Sequence, residues 1–372
     1  MHILILPSWY PTEDEPLRGS FFAEQAEALA ASGHRVSVFP VFNDAPASCR
    51  VEKRIRGNLT EYAVHVKPLR FHLTWFRVVR TMARLIRREL AGAKPDIIHV
   101  HSYAAARYAR ALKALFRIPY VVTEHVSWFE RGILSPKALR EAARGYGAAD
   151  AVIAVSAGLR EQIRPLCGRK NVRIVPNMVN DRFLKTPLDR EERETFEFLS
   201  VASLHPYKGH DVLLRAFART AAEHGGVRLT ICGDGPERPN LEILAGELGL
   251  RDRVAFPGAV SREEVAERLR RCRAFVLASR IETFGIVYLE AMACGRPILM
   301  TKTGAWEQLA LPETGIAVDI DDEDALAAAM GTMIRNYDRY DPERIREYCR
   351  DRFSPEAVCR QLTAIYEETV RR

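Results

Sequence analysis

The chain has 372 residues, 47% of them hydrophobic and 28% charged, with a formal net charge of +7. That length and composition set an expectation of about two globular domains with ample core material. No apolar run approaches a membrane span, and the opening Met1–Pro7 has neither the length nor the basic lead of a secretory leader. The seven cysteines form no CxxC pair, which points to reduced thiols and away from a zinc site.

The positive charge is local. Between Tyr62 and Arg88 there is no Asp or Glu, while Lys67, Arg70, Arg77, Arg80, Arg84, Arg87 and Arg88 match the net charge of the whole chain. Nucleic acid is not the expected partner, because no DNA- or RNA-binding motif and no aromatic-studded basic platform is present.

Taken in order, short apolar runs predict strands at Ile3–Leu6, Arg35–Phe39, Ala63–Lys67, Ile97–Val100, Tyr120–Thr123, Ala151–Val155 and Val172–Val175. Helical spacing falls between them, notably at Phe22–Ala31, Thr74–Leu90, Ala104–Phe116 and Ala157–Arg164. Alternation of this kind makes βαβ units and a mostly parallel, doubly wound sheet. It restarts with strands at Phe196–Val201, Arg228–Cys232, Val254–Phe256, Ala274–Leu277, Pro297–Met300 and Ala317–Val318. The fold class is therefore α/β, with two Rossmann-like domains facing a central cleft. Thr186-Pro187-Leu188 and the charged stretch 189–194 mark the boundary, giving domains 1–185 and 186–353. A C-terminal helix at 354–372, with Pro355 at its first position, is expected to pack back on the first domain.

Candidate functional residues lie where strands end. In Pro16-Leu17-Arg18-Gly19-Ser20, Gly19 precedes a helix and can bring backbone close to a phosphate. His99, His101 and His125 follow strands and suit a polar ligand. Thr74–Leu90 is amphipathic, with Trp75, Val78, Val79, Met82, Leu85 and Ile86 on one stripe. Its Arg77, Arg80, Arg84, Arg87 and Arg88 suit a solvated face, an anionic membrane surface or an anionic acceptor. In the second half, Ser203-Leu204-His205-Pro206-Tyr207-Lys208-Gly209 links a strand to a helix, and Lys208 there can neutralise a phosphate. Gly233-Asp234-Gly235-Pro236 is a tight turn after another strand. Asp319 and Asp321 read as the approach to a helix starting at Glu323 more readily than as metal ligands.

The most informative stretch is Ser279–Gly295. A buried strand, Ala274–Ala278, precedes it. Glu282 then sits on a strand-to-helix loop, and a helix follows Phe284-Gly285 until Gly295 and Pro297 stop it. Amides near Gly285 and the helix dipole favour an anion. Glu290 lies within a largely apolar helix, where an acid needs a partner or a cleft. Two carboxylates flanking an anion-binding helix end suit a pyrophosphate carrying hydroxyl-rich sugars.

In this order, Gly19, Leu204-x-x-x-Lys208-Gly209, Gly233-Asp234-Gly235-Pro236 and Glu282-Thr283-Phe284-Gly285 through Glu290 resemble glycosyltransferase family 4, the retaining nucleotide-sugar enzymes of GT-B fold. The resemblance covers nearly the whole chain, and its most specific part is the pair of glutamates, Glu282 and Glu290, with seven residues including Phe-Gly between them. It implies that Glu282 faces the donor sugar's hydroxyls with the Phe284-Gly285-Ile286 backbone beside it, and that Glu290 accepts from the ribose diol. Lys208 and the Gly19 backbone would hold the diphosphate, and His125 would touch the donor sugar. Catalysis would then rest on Glu282, Lys208 and His125, and donor binding on Gly19, Ser203, Lys208, Gly233, Gly235 and the 282–290 segment. No metal and no cofactor are implied beyond the UDP- or GDP-sugar substrate.

One position departs from the family. Ser203 stands where many relatives carry Arg, so a cation at the diphosphate must come from elsewhere, with Arg18, Arg131, Arg238 and Arg280 as candidates. The expected activity is transfer of a sugar to a glycan or lipid-linked acceptor in cell-surface polysaccharide or glycolipid synthesis. Its expected setting is the cytoplasm, at or near the inner face of the membrane. A sugar-nucleotide epimerase of the same build and a non-catalytic sugar-nucleotide binder are the alternatives. A nicotinamide oxidoreductase is disfavoured because GxGxxG is missing.

Overall fold

The computed structural model describes residues 1–15, 18–45, 49–69, 73–189, 191 and 194–371. Pro16 and Leu17 of the first glycine loop, Arg70 of the basic stretch, Arg190, Glu192 and Arg193 of the boundary stretch, and the final Arg372 lie outside the described residues. The chain forms two compact units, Met1–Pro176 together with Val358–Arg372, and Asn177–Ala357.

The first unit runs β1 (His2–Pro7), α1 (Ser20–Ala31), β2 (Arg35–Val38), β3 (Val41–Phe42), β4 (Arg50–Arg56), β5 (Leu59–His65), α2 (Leu73–Arg88) and β6 (Ile97–His101). It continues through α3 (Tyr103–Phe116), β7 (Tyr120–Glu124), α4 (Pro136–Ala148), β8 (Ala151–Ala154), α5 (Ala157–Ile163) and β9 (Val172–Ile174). Its sheet has the order β3-β5-β2-β1-β6-β7-β8-β9, parallel throughout, with β4 added antiparallel to β5. The central strands β1, β6 and β7 are buried along their whole length. Their apolar residues fall on both faces because helices cover both faces of such a sheet, with the polar His99, His101, Thr123 and Glu124 toward the ends of β6 and β7.

Two differences from the sequence reading concern the sheet edge. β5 begins at Leu59, ahead of the expected Ala63, and the hairpin partner β4 was not expected. Its sequence, Arg-Val-Glu-Lys-Arg-Ile-Arg, is largely exposed, so no apolar alternation marks it. Charged side chains on an exposed edge strand also discourage pairing with other chains.

On α2, Val78, Val79, Met82, Leu85 and Ile86 are buried in the core of the unit, while Arg80, Arg84, Arg87 and Arg88 are exposed. The apolar stripe is thus satisfied by the fold. No described helix is long and apolar enough to cross a membrane.

The second unit contains α6 (Asp181–Lys185), β10 (Phe196–Val201), α7 (His210–Glu223), β11 (Val227–Cys232), α8 (Arg238–Glu247), β12 (Val254–Gly258), α9 (Arg262–Arg271) and β13 (Ala274–Leu277). Then come α10 (Ile286–Ala293), β14 (Ile298–Thr301), α11 (Trp306–Leu309), β15 (Gly315–Val318), α12 (Glu323–Arg335) and α13 (Pro342–Phe353). Its parallel sheet has the order β12-β11-β10-β13-β14-β15. Because α6 groups with this unit, the first unit ends ahead of the Pro187 stretch. The order steps out from β10 in both directions, so the loops after β10 and β13 meet at a topological switch point, where open α/β sheets bind ligands.

The last helix, α14 (Pro355–Arg371), is capped by Ser354, whose hydroxyl accepts the Ala357 N–H at 3.2 Å. From Val358 onward it belongs to the first unit, where Tyr366 bonds His99 at 2.7 Å and Thr363 bonds His34 at 2.9 Å.

Candidate functional site

Among the described residues, three helices begin at a glycine with left-handed backbone and no side-chain cap: α1 at Gly19 (φ +70°), α7 at Gly209 (φ +65°) and α10 at Gly285 (φ +86°). Elsewhere Ser135, Ser156, Asn180, Ser261, Asp322 and Asp341 cap their helices. A glycine start gives the first-turn amides no side-chain acceptor and favours an anionic ligand. All three glycines belong to the sequence motifs above.

In the second unit the structure brings Lys208 and Glu282 together. Lys208 Nζ lies 2.5 Å from Glu282 Oε2, and the two side chains are 15% and 14% exposed. Lys208 ends the short turn between β10 and α7, and Glu282 follows β13. The close contact of these loops explains Gly209, where an added Cβ would sit 1.9 Å from the Ala278 carbonyl oxygen. Beneath the turn His210 is buried, and burial, with the Lys208 charge nearby, lowers its pKa to about 4.

Phe284 is buried and meets Phe353 edge-on at 6.1 Å, which anchors the loop that carries Glu282. Gly304 closes over the same loop, since a Cβ there would lie 2.8 Å from the Glu282 carbonyl oxygen. Ile286 opens α10. Glu290, one helical turn on, is 8% exposed, and Arg262 approaches it at 3.7 Å. Arg262 had no signal in the sequence, because nothing in the spacing ties the start of α9 to α10.

Gly233 and Gly235 serve a neighbouring contact. Added Cβ atoms would lie 1.8 Å from the Ala202 oxygen and 2.5 Å from the Leu204 oxygen, so these glycines let the loop after β11 pack on the loop holding Ser203. Ser203 itself is exposed.

The candidate replacement cations are largely engaged. Arg280 is held by Asp211 and Asp321 at 2.6 to 2.9 Å. Arg238 pairs with Glu242 at 2.8 Å and Asp234 at 3.4 Å, and Arg18 pairs with Glu15 at 2.7 Å. Asp319 pairs with Lys302, and Asp322 caps α12 through the Ala325 N–H. Among the described residues, no three His, Cys, Asp or Glu side chains are grouped to hold a metal ion.

In the first unit Gly19 starts α1, and a Cβ there would lie 2.9 Å from the Trp9 carbonyl oxygen. His125 follows β7, and its Nε2 is 3.1 Å from His101 Nδ1. Phe21 and Phe22 contact its ring. His99 and His101 are fully buried, contrary to the expectation of three histidines presented to a ligand. His99 bonds Thr123 and Tyr366 at 2.7 Å, and burial, with the nearby His125, lowers its pKa to about 3. Burial pushes His101 well below its ordinary value.

Glu124, which sequence reasoning passed over, is completely buried. It accepts from the N–H groups of Tyr103, His125 and Val126 and from the Tyr146 hydroxyl, at 2.6 to 3.0 Å. These bonds fix the backbone of His125. Ser102 joins β6 to α3 at φ +67°, a region that favours glycine, beside this cluster.

Family models match both halves of the chain: Glycosyltransferase Family 4 over residues 19–183 and Glycosyl transferases group 1 over residues 186–352. The chain belongs to glycosyltransferase family 4, the group 1 glycosyl transferases. This glycosyltransferase is 26% identical to an uncharacterized glycosyltransferase of Methanocaldococcus jannaschii, with 92% of each chain covered. It is 29% identical to N-acetyl-alpha-D-glucosaminyl L-malate synthase of Bacillus anthracis, with 78% of each covered. Among solved structures it is similar to sucrose-phosphate synthase of Thermosynechococcus elongatus, with a TM-score of 0.77, 22% identity and 99% of each chain covered. It is also similar to Anabaena HepE in complex with UDP, with a TM-score of 0.76, 20% identity and 99% and 100% covered. The glycosyltransferase has the GT-B fold, built of two parallel-sheet α/β units.

Proposed function

We propose that this glycosyltransferase moves a sugar from a UDP- or GDP-linked donor to a hydroxyl of a glycan or lipid-linked acceptor. In this reading the anomeric configuration is retained, no metal is needed, and the product belongs to cell-surface polysaccharide or glycolipid. The observation that carries it is the Lys208–Glu282 pair, set beside the glycine-started helices α7 and α10 at the switch point of the second sheet.

The chemistry follows from that pair. Breaking the bond between C1 of the sugar and the β-phosphate oxygen leaves negative charge on the phosphate, where a fixed cation and amide dipoles stabilise it. Lys208 supplies the cation, and an incoming diphosphate competes with Glu282 for it. Glu282 then turns to the sugar hydroxyls, and Glu290 accepts from the ribose. As the acceptor oxygen bonds to C1 from the same face, its proton passes to the departing phosphate. A front-side route of this kind needs no protein nucleophile, and no second acid besides Glu282 carries one of the assigned donor-sugar roles.

The resemblance to the family gives His125 and Gly19 contacts with the donor sugar and diphosphate. The 1–185 segment is assigned the acceptor and the 186–353 segment the nucleotide sugar. The exposed arginines of α2, and a cavity of about 790 Å³ beside it lined by Trp75, Arg107, Arg110 and Arg144, support an anionic acceptor or membrane surface. The proposed setting is the cytoplasm.

A donor screen tests the proposal. Thermal shift with UDP, GDP, ADP and their common sugars, with and without magnesium, should show a metal-independent rise for one nucleotide family. Proton NMR of the product should show the donor's anomeric configuration. An inverted product, or a rise that needs magnesium, contradicts the mechanism. Turnover of UDP-GlcNAc without an acceptor would point to the epimerase.

A further inference from the structure

Arg280 was a candidate for the missing diphosphate cation, but every one of its side-chain nitrogens is engaged within the protein. Its NH1 and NH2 groups fork onto Asp211 at 2.9 and 2.7 Å, its Nε–H donates to Asp321 at 2.6 Å, and NH1 also donates to the Pro206 carbonyl at 2.6 Å. The backbone N–H groups of Arg280 and Ile281 both point to the Tyr207 carbonyl, at 2.9 and 3.4 Å.

These partners are the residues around Lys208. Pro206 and Tyr207 precede it in the turn, and Asp211 stands in the first turn of α7 just after it. Asp321 adopts φ +58°, a backbone state unusual for a side-chain-bearing residue, in the turn before α12. The planar guanidinium matches this set in a way a lysine ammonium does not, because it bonds a carboxylate by two parallel N–H groups while others face elsewhere. Burial pushes the Asp211 carboxyl up, yet the Arg280 bonds and charge, with backbone N–H donors, hold it below its ordinary value.

We infer that Arg280 is a positioning residue of the donor site, joining the turn that carries Lys208 to the loop that carries Glu282 and so setting the placement of these two groups. It also neutralises Asp211 and Asp321, two carboxylates that would otherwise repel a diphosphate. Glu282 follows Arg280 by two residues, so one segment carries both the clamp and the group that Lys208 meets. The inference rests on reading Lys208 as the diphosphate cation, and the experiment separates the two.

Arg280→Ala and Arg280→Lys are made alone and with Lys208→Ala. UDP, UMP, GDP and GMP are titrated into each, and amide hydrogen exchange is followed across residues 204–210. In Arg280→Ala, affinity for the nucleoside diphosphate should fall about tenfold while that for the monophosphate stays within about twofold, since only the diphosphate reaches Lys208. In the Lys208→Ala background the same change should add less than about twofold, the mark of two residues acting as one unit. Guanidinium ion at millimolar concentration should restore part of the lost affinity in Arg280→Ala, and Arg280→Lys should not match the wild type. Exchange in the 204–210 turn should rise.

Equal losses for mono- and diphosphate, full additivity with Lys208→Ala, or unchanged exchange in the turn would overturn the inference. If the wild type binds no nucleotide while Arg280→Ala loosens the turn, the clamp stands and the donor reading fails.

Discussion

Replacing Gly209 by Ala tests the link between backbone geometry and the site. The new Cβ would lie 1.9 Å from the Ala278 carbonyl oxygen, where an ordinary contact needs at least 3.4 Å, so the turn must retreat by about 1.5 Å. Neither partner is a side chain that can rotate away. Holding Ala at φ +65° costs about 1 kcal/mol. The retreat also stretches the bonds from Arg280 and Ile281 to Tyr207, each contributing about 1 kcal/mol. The expected destabilisation is therefore about 3 kcal/mol in urea unfolding of the second unit. Because Lys208 precedes Gly209, its ammonium moves with the turn, and a displacement of ~1 Å at a reacting centre costs on the order of 100-fold in turnover. Urea denaturation and donor turnover should be measured on the same preparation. A variant within about 0.5 kcal/mol of wild type, the ordinary range for an innocuous surface change, with undiminished turnover would refute the reasoning.

Further outcomes follow from other parts of the molecule. His99 and His210 are buried with pKa values lowered to about 3 and about 4, so both are neutral in the fold and take up protons on unfolding below pH 6.5. Their stabilising contribution is complete above that pH and is lost as pH falls toward the folded values, at about 1.4 kcal/mol per pH unit for each. Urea midpoints at pH 7.5 and 5.0 should differ accordingly, and His210→Phe should shrink the difference; an unchanged difference would exclude His210 as a source. Glu282→Gln keeps the shape of the loop and removes the partner charge of Lys208, so nucleotide affinity should persist or rise while transfer falls by about 100-fold. Transfer at wild-type rate would remove Glu282 from the mechanism. Changing Arg80, Arg84 and Arg87 of α2 together to Glu should abolish co-sedimentation with anionic vesicles, and unchanged co-sedimentation would exclude α2 as the docking surface.

Much of this architecture is legible in the sequence where both faces of a strand are buried. Ile3–Leu6 and Ala274–Leu277 announce themselves as apolar runs for that reason. The strand Arg50–Arg56 does not, because an exposed edge strand has no buried face to pattern. Gly19, Gly209 and Gly285 were readable as special backbone positions because each sits between a strand and a helix, and the structure gives each a positive φ. Gly233 and Gly235 sit at a similar junction, and like Gly209 they lie where an added Cβ would meet the backbone of a neighbouring loop. His99 misled because its partner Tyr366 is 267 positions away and covers it from the last helix. Arg280 could be identified as a cation but not as a clamp, since Asp211 and Asp321 lie 69 and 41 positions from it. Local spacing carries local backbone demands well and carries almost nothing about which distant carboxylate a guanidinium will find.

The most direct test of the donor-site account is calorimetric titration of UDP and GDP into the wild type and Lys208→Ala, in buffer containing EDTA. The account predicts one-site binding of one of these nucleotides without any divalent ion, weakened at least about tenfold by Lys208→Ala, the scale of one charge-assisted contact to phosphate. Binding that survives the substitution intact, or that appears only when magnesium is restored, would contradict it.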